Sequence, residues 1–578
     1  MPRNRLDTPL DRLPQYGTVA AESPTTSPAK YALELPQVPW ARKFGIDYVQ
    51  HFDHVAPFFA GDPASADAWR DAIARAQRHP RARVELVALL TAQQQGRQAP
   101  PAALAASARL ADPASVAIVT GQQAGLFGGP VFTLLKALTA IKLARQIERD
   151  HGVPAVPVFW IDAEDHDWDE VSTCGVLDPD NGLKVITAPR PDGANEGPVA
   201  RVKLDERITA TLDELQASLP PTEFTGPLMD RLRAFYAPGA GMSTAFGCWV
   251  ESLLGPLGLV LYCSADPAAK PLAAPVFLHE LSTAGRTAAL ANKSGAEMEA
   301  RGYHAQVTPS ADTVALFHLN ATREPIRLAE GGANGGAAEG GNAFVIAEQT
   351  IPADTLIAEA KAHPERFSPN VLLRPLVQDT LFPTIAYIGG PSELTYLGQL
   401  REVYAHFGIP MPLMYPRISA TVLDAGATRF LSRYDLPLGT LQPQDEAALN
   451  ALLESQLPPS VDAALQEAER TIEARMQAVV AAVPTIDPTL EGAAKSALGK
   501  MTHELTALHN KIIQAAKRRD ETLRRQFVRA RAQAFPGGDP QERAIGFITL
   551  INRYGPALVD LLDQELSPDL GRHWVLTL

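Results

Sequence analysis

Residues 116–170 constrain this chain more than any other stretch. SVAIVTG (115–121) is a short apolar run ended by glycine, and GQQAGLFGGP (121–130) follows as a loop. VFTLLKALTAIKLARQIERD (131–150) then carries apolar residues at helical spacing. Pro130 stands at its start, where a missing N–H costs nothing. AVPVFWI (155–161) is a second buried apolar run. Two β-runs joined by a helix imply a parallel βαβ crossover, and hence an α/β fold.

In a parallel sheet the carboxyl ends of the strands face the ligand crevice. Both ends here are polar. Gly121, Gly125, Gly128 and Gly129 let the backbone turn tightly and approach a ligand closely. The helix that follows offers free N–H groups and a positive dipole end, which suits a phosphate or carboxylate. The loop matches neither GxxxxGK[ST] nor GxGxxG, so a tight structural turn is the competing reading. Gln122 and Gln123 add amides able to bond a polar substrate.

After the second strand comes Asp162-Ala-Glu164-Asp165-His166-Asp167-Trp168-Asp169-Glu170, with six carboxylates and one imidazole in nine residues. Like charges repel, so such a cluster is costly without a use. It could hold a metal, bind an ammonium or supply a general base. His166 with Asp165 or Asp167 is a reasonable acid/base pair. The bland alternative is a solvated acidic loop with one helix cap.

TIAYIGGPSELTYLGQL (384–400) repeats the strand, Gly-Gly-Pro, helix pattern. Gly389 and Gly390 make the turn, and Glu393 and Tyr396 fall on the first helical turn. PLMYPRISATVLD (412–424) places Arg417 just after another strand, where it could pair with a substrate carboxylate or phosphate. Further strands are expected at 258–263 and 315–319, and 328–342 reads as a Gly-rich surface loop.

The character changes near residue 440. Leu498, Met501, Leu505, Leu508 and Ile512 step by three and four, a heptad seam, and Ala516, Leu523, Phe527 and Ala530 continue it after a phase shift. PTIDPT (484–489) is short enough to join two antiparallel helices. The expected organisation is a catalytic core with inserted connecting segments (1–440), a coiled-coil arm (441–535) and a helical segment returning to the core (536–578). A net charge of -13 argues against nucleic-acid binding by bulk field. LLGPLGLVLYC (253–263) is too short to span a bilayer, and the N-terminus lacks the apolar core of a signal peptide. Three separated cysteines fit a reducing compartment, so a cytoplasmic location without membrane attachment is expected.

VTGQQAGLFGGPVFTLLKALTAIKLA (119–144), VPVFWIDAEDHDWDEV (156–171), YIGGPSELTYLGQL (387–400) and MPLMYPRIS (411–419) resemble the cysteine-adding enzyme family of bacillithiol biosynthesis, BshC. PQERAIGFITLINRYGPALVDLL (540–562) is similar too. The resemblance implies a Rossmann-like core related to class I aminoacyl-tRNA synthetases, with a coiled coil used for homodimerisation. It implies a ligase joining L-cysteine to glucosaminyl-malate, with ATP as the expected energy source, although neither HIGH nor KMSKS occurs.

On that resemblance, His166 or Asp167 takes the proton of the attacking amine, and Asp162 and Glu164 bind sugar hydroxyls or an ammonium. Backbone N–H groups near Gly128 and Gly129, with Lys136 and Arg417, hold anionic groups, and Gln122, Gln123, Gly389 and Gly390 complete the crevice. No metal is assigned. Three rivals stay open: a metal-dependent hydrolase or transferase using the acidic cluster, a nucleotide-binding regulator, and a coiled-coil adaptor.

Overall fold

The computed structural model describes residues 29–191, 197–320, 322–329, 343–456, 459–519 and 521–578. Most of the expected Gly-rich loop, 330–342, lies outside the described residues, as do the side chains at 516–519. The chain divides into two compact units. One comprises residues up to Thr421 together with Gln541–Leu576, and the other is Val422–Pro540 with the last two residues.

The first unit is built on a five-stranded parallel sheet. Its elements are β1 (Val116–Gln123), α1 (Val131–His151), β2 (Ala155–Asp162), β3 (Val260–Cys263), β4 (Thr384–Gly389), α2 (Pro391–Gly398) and β5 (Leu413–Pro416). Across the sheet the order is β5-β4-β1-β2-β3, every neighbour parallel. Read from the other edge this is 3-2-1-4-5, the doubly wound order of a Rossmann-like fold.

β1 and β2 are buried along nearly their whole length. A central parallel strand is covered on both faces, which is why these segments read as unbroken apolar runs rather than alternations. The alternation survives in what each side chain touches. Val116 and Ile118 pack into one core with Leu143 and Ile147 of α1, while Ala117 and Val119 pack into the other with Val158 and Trp160. α1 stops at Gly152, which takes a left-handed conformation (φ 66°), with Arg149 and His151 in the last turn complementing the helix dipole.

The run at 315–319 does form a strand (Thr313–Leu319), but not in this sheet. It pairs antiparallel with Arg323–Leu328 and with Phe367–Pro369. A short reversal between its first two strands can only give antiparallel pairing. The C-terminal stretch 541–576 forms short helices and then a strand, Arg572–Thr577, which the sequence reading did not anticipate. That strand pairs antiparallel with Lys30–Glu34.

In the second unit, helices Pro459–Ala482 and Leu490–Arg519 pack on each other through the short link at 483–489. Met501 and Leu508 of the heptad seam, and Val479 on the neighbouring helix, stay exposed. Among the described residues no helix is long and apolar enough to cross a membrane.

Candidate active site

The sheet register brings the polar strand ends together. Gln123, the last residue of β1, stands opposite Asp162, the last of β2, and Thr120 stands opposite Ile388 of β4. The strand order reverses between β1 and β4, where doubly wound sheets open a crevice at their carboxyl edge. A cavity of about 770 Å³ lies there. Gln122, Gln123, Lys136, Asp162, Glu164, His166, Gly390 and Arg417 all line it, although they come from four separate stretches of sequence.

Lys136 sits at the seam. It is 2% exposed, and its ammonium reaches the Gly121 carbonyl (2.8 Å), Gln122 Oε1 (3.0 Å) and Glu393 Oε2 (2.6 Å). An ammonium has three donors, so all are engaged and none is left over for a ligand anion. Glu393 is gripped in turn: Tyr387 Oη donates to its Oε1 and the Gly390 N–H to its Oε2, each at 2.8 Å. Burial pushes the Glu393 carboxyl up, but the Lys136 charge and these hydrogen bonds outweigh it and hold the group below its ordinary value. Burial likewise pushes the Lys136 ammonium down, against the pull of Glu393.

The acidic wall follows β2. Burial raises the Asp162 carboxyl, with Arg374 pulling the other way. Glu164 is 5% exposed and pairs through Oε1 with the buried Lys270 at 2.7 Å, while its Oε2 has no hydrogen-bond partner. Asp165 accepts from the Gln123 side-chain amide at 2.8 Å. His166 lies at the rim, its Nδ1 3.3 Å from Asp165 Oδ1 and 3.4 Å from an Arg323 nitrogen. Arginine can only donate, so contact with Arg323 makes Nδ1 the acceptor, whereas contact with Asp165 requires a proton there. The two neighbours therefore favour opposite protonation patterns of one ring.

Four of the expected residues face elsewhere. Asp167 is exposed and caps the short helix Trp168–Val171, accepting from the Glu170 N–H at 3.0 Å. Gly128 and Gly129 spend their N–H groups on Gly125 and Leu126 inside their own turn, so they do not present an anion cradle. The first amide of α1, at Val131, is taken by the Ile545 carbonyl at 2.9 Å. Gly389 is buried in β4, its carbonyl accepting from the Arg417 N–H. Arg417 borders the cavity, but its guanidinium fork closes on Glu542 at 2.7 and 2.9 Å, which removes it as a ready anion clamp.

Four charged residues of this region escaped the sequence reading, among them Arg543, which also lines the cavity. Lys270 comes from a helix remote in sequence, and Arg323 from a hairpin strand with no local signal. Arg374 opens the helix Arg374–Leu381, where an Arg-Pro start was its only mark. Among the described residues no three His, Cys, Asp or Glu side chains converge as a metal site requires.

Comparison with known proteins gives a consistent answer over nearly the whole chain. Residues 32–418 match the family described as "Bacillithiol biosynthesis BshC, N-terminal Rossmann-like domain", and residues 420–578 match "Bacillithiol biosynthesis BshC, C-terminal coiled-coil domain". The "Putative cysteine ligase BshC" of Salinibacter ruber is 34% identical over 92% of this chain and 95% of its own length. Its counterpart in Koribacter versatilis is 33% identical over 92% of this chain and 96% of its own. That of Chlorobaculum tepidum is 34% identical over 79% and 82%.

Proposed function

The chain belongs to the BshC family of bacillithiol biosynthesis, and from that premise we propose that it is a cysteine ligase. On this reading it joins the carboxyl group of L-cysteine to the amine of glucosaminyl-malate, in the last step of bacillithiol formation. The observation that supports it is the cavity at the β1/β4 reversal, which gathers an acidic wall, an imidazole and amide side chains around a space sized for small molecules.

Amide formation requires the amine to lose a proton as it attacks. His166 is the base in this reading, because it borders the cavity while Asp167 is committed to a helix cap. The unpartnered Glu164 Oε2 is a ready acceptor for a substrate ammonium or hydroxyl. Gln122 spends its carbonyl on Lys136, which leaves its NH2 as a donor; Gln123 donates to Asp165, which leaves its carbonyl as an acceptor.

A free carboxylate must be activated before an amine displaces oxygen from it, and ATP is the expected energy source. The glycine loop does not fit the usual phosphate cradle, because its amides turn inward and Ile545 covers the helix start. The loop amides are therefore not the groups that would hold a nucleotide's phosphates.

Full-length protein incubated with L-cysteine, glucosaminyl-malate and ATP should yield the amide, read by mass spectrometry, with ATP consumed. His166→Ala should slow turnover by about 10²–10⁴-fold. Failure of the unaltered protein to form the amide with all three present would end the ligase reading.

A second copy of the chain is the proposed partner, through the exposed Val479, Met501 and Leu508 of the second unit. Met501→Glu combined with Leu508→Glu should halve the mass seen by light scattering. An unchanged mass would remove the coiled coil from the contact. A reducing cytoplasm is the compartment this reading implies, consistent with three unpaired cysteines and a thiol product.

A further inference from the structure

A buried cation is costly unless its partners are close and well aimed. The buried pairs of the first unit mostly meet that condition: Lys136–Glu393, Arg97–Glu251, Lys270–Glu164 and Arg417–Glu542 close at 2.6–2.7 Å. Two arginines on the cavity wall do not. The Arg323 side chain is 8% exposed, yet its nearest carboxylate, Asp165, stands 3.5 Å away, and its Nε has no partner. The Arg374 side chain is 10% exposed, with Asp162 3.9 Å from its Nε and the Tyr396 hydroxyl 3.5 Å from a terminal nitrogen.

Both guanidinium groups are nevertheless held in place. Arg323 lies 3.7 Å over the Phe317 ring and donates to the Pro369 carbonyl at 3.1 Å. Arg374 lies over Tyr387 at 5.5 Å and Trp160 at 5.9 Å, and donates to Gln378 at 3.2 Å. Aromatic faces fix the planes without neutralising the charge, leaving two preorganised forks with donor capacity to spare. Among the described residues, the part of the cavity wall supplied by 307–374 contains these two cations and no carboxylate. The stretch 162–170 supplies the opposite charge.

Resting on the ligase reading of this same cavity, we propose that Arg323 and Arg374 are specificity residues that each take one carboxylate of the malate end of the acceptor. Two forks match a dicarboxylate; a lone carboxylate satisfies only one. With malate so held, the amine of the sugar is directed to the acidic side, toward Glu164 and His166. The loose contacts of the two arginines to Asp165 and Asp162 are replaced by shorter, bidentate ones.

The test is calorimetric titration of the full chain with L-malate, L-lactate and ATP, each without cysteine. Malate should bind at least about tenfold tighter than lactate, and Arg323→Gln or Arg374→Gln should each weaken malate by about tenfold or more. The KM for glucosaminyl-malate should rise in both variants while the KM for cysteine stays put. Arg323→Lys and Arg374→Lys keep the charge but lose the fork; they should fall on the same side, and they carry the test if the glutamine variants fail to fold.

Malate binding no tighter than lactate overturns the proposal, and so do variants that weaken ATP binding while leaving malate untouched. Arginine-dependent malate binding in a protein that forms no amide would sink the ligase reading alone. Amide formation with malate affinity indifferent to both arginines would sink the clamp alone.

Discussion

Gly128-Gly129-Pro130 and Gly389-Gly390-Pro391 are the same tripeptide, each set between a parallel strand and a helix, and the fold uses them in opposite ways. At the first, φ is +98° and +78°, conformations that side chains rarely tolerate. Its amides are spent internally, and Ile545 and Phe547 bond across it. At the second, Gly390 has an ordinary extended backbone (φ -80°, ψ 171°), borders the cavity and gives its N–H to Glu393. The tripeptide grants permission to turn; what packs on it decides whether the turn becomes a wall or a mouth. Gly390 lines the cavity, so the second turn stays open to whatever occupies that space.

The sharpest way to break this contrast is to add one methyl group at each turn. In Gly128→Ala the Cβ would run into the Phe547 ring and Trp249, on a backbone that already disfavours it. Strain and overpacking together should cost about 4 kcal/mol, a large part of the ~5–15 kcal/mol that holds an ordinary domain folded. In Gly390→Ala the nearest atom is Glu393 Oε2 at 3.4 Å, an ordinary contact, and the loss should stay below about 1 kcal/mol. Urea midpoints measure both. Equal losses would mean that the two turns are packed alike.

The first turn is held from outside. The segment that covers it is anchored by Glu542, whose carboxylate takes the Arg417 fork, the Ser419 hydroxyl and the Ala420 N–H. Burial pushes this carboxyl up, but Arg417 prevails and holds it down at about 2. A depressed folded value stabilises above the ordinary 4.5 and is lost as pH falls from there toward about 2. His573, bonded to Ser419, is held neutral by burial, down to about 4. Between its ordinary 6.5 and about 4 the unfolded chain binds a proton that the folded chain refuses, so stability again falls with pH. Glu542→Gln should cost about 3 kcal/mol at neutral pH by stranding Arg417, and should flatten the decline below pH ~4.5. Denaturant midpoints across pH 3–8 read both; a decline as steep in the variant as in the parent would exonerate Glu542.

How much of this was legible beforehand follows the same division. The βαβ unit was readable because the strands are buried on both faces and the helix is bounded by Pro130 and Gly152. Asp162, Glu164 and His166 were readable because a strand's carboxyl end fixes where its next residues lie. The turn at Gly128 and Gly129 was not, since its two amides bond inside the turn itself, while the Gly129 carbonyl and the Val131 N–H are taken by Phe547 and Ile545, more than 400 positions later. Arg417 was correctly placed at a strand end, but its partner Glu542 could not be inferred from distance along the chain. Arg323 carries no local pattern and Arg374 only an Arg-Pro helix start; what brings them to the cavity is the docking of the antiparallel sheet, Arg323 from its hairpin and Arg374 from the helix after Phe367–Pro369.

The second turn is held from within, by Glu393, and its energetics should be milder. Glu393→Gln leaves Lys136 buried without its counter-charge, whereas Lys136→Met leaves a carboxylate that is 23% exposed toward the cavity. Water can reach the stranded carboxylate more easily than the stranded ammonium. Glu393→Gln should therefore cost about 2 kcal/mol and Lys136→Met less, the reverse of what side-chain size alone suggests. Thermal melts of the two variants at pH 7 decide the order, and a costlier Lys136→Met would show that packing, not charge, dominates this seam.

The smallest effect discriminates most finely. Tyr387→Phe removes one hydrogen bond to Glu393 Oε1, and Thr120→Val removes one to the Ile388 carbonyl, at 2.8 and 3.0 Å. Both hydroxyls lie in neighbouring strands of the buried sheet, and each change should cost about 1 kcal/mol. Only the first bond ends on a titrating group. With Tyr387 gone, less holds the Glu393 carboxyl below its ordinary value, so the acid decline, which starts at that ordinary value in both proteins, becomes shallower and ends at higher pH. Thr120→Val should lower the stability curve evenly without moving that edge. If the two variants give superimposable pH profiles, Glu393 is not the group that ties the second turn to its cavity.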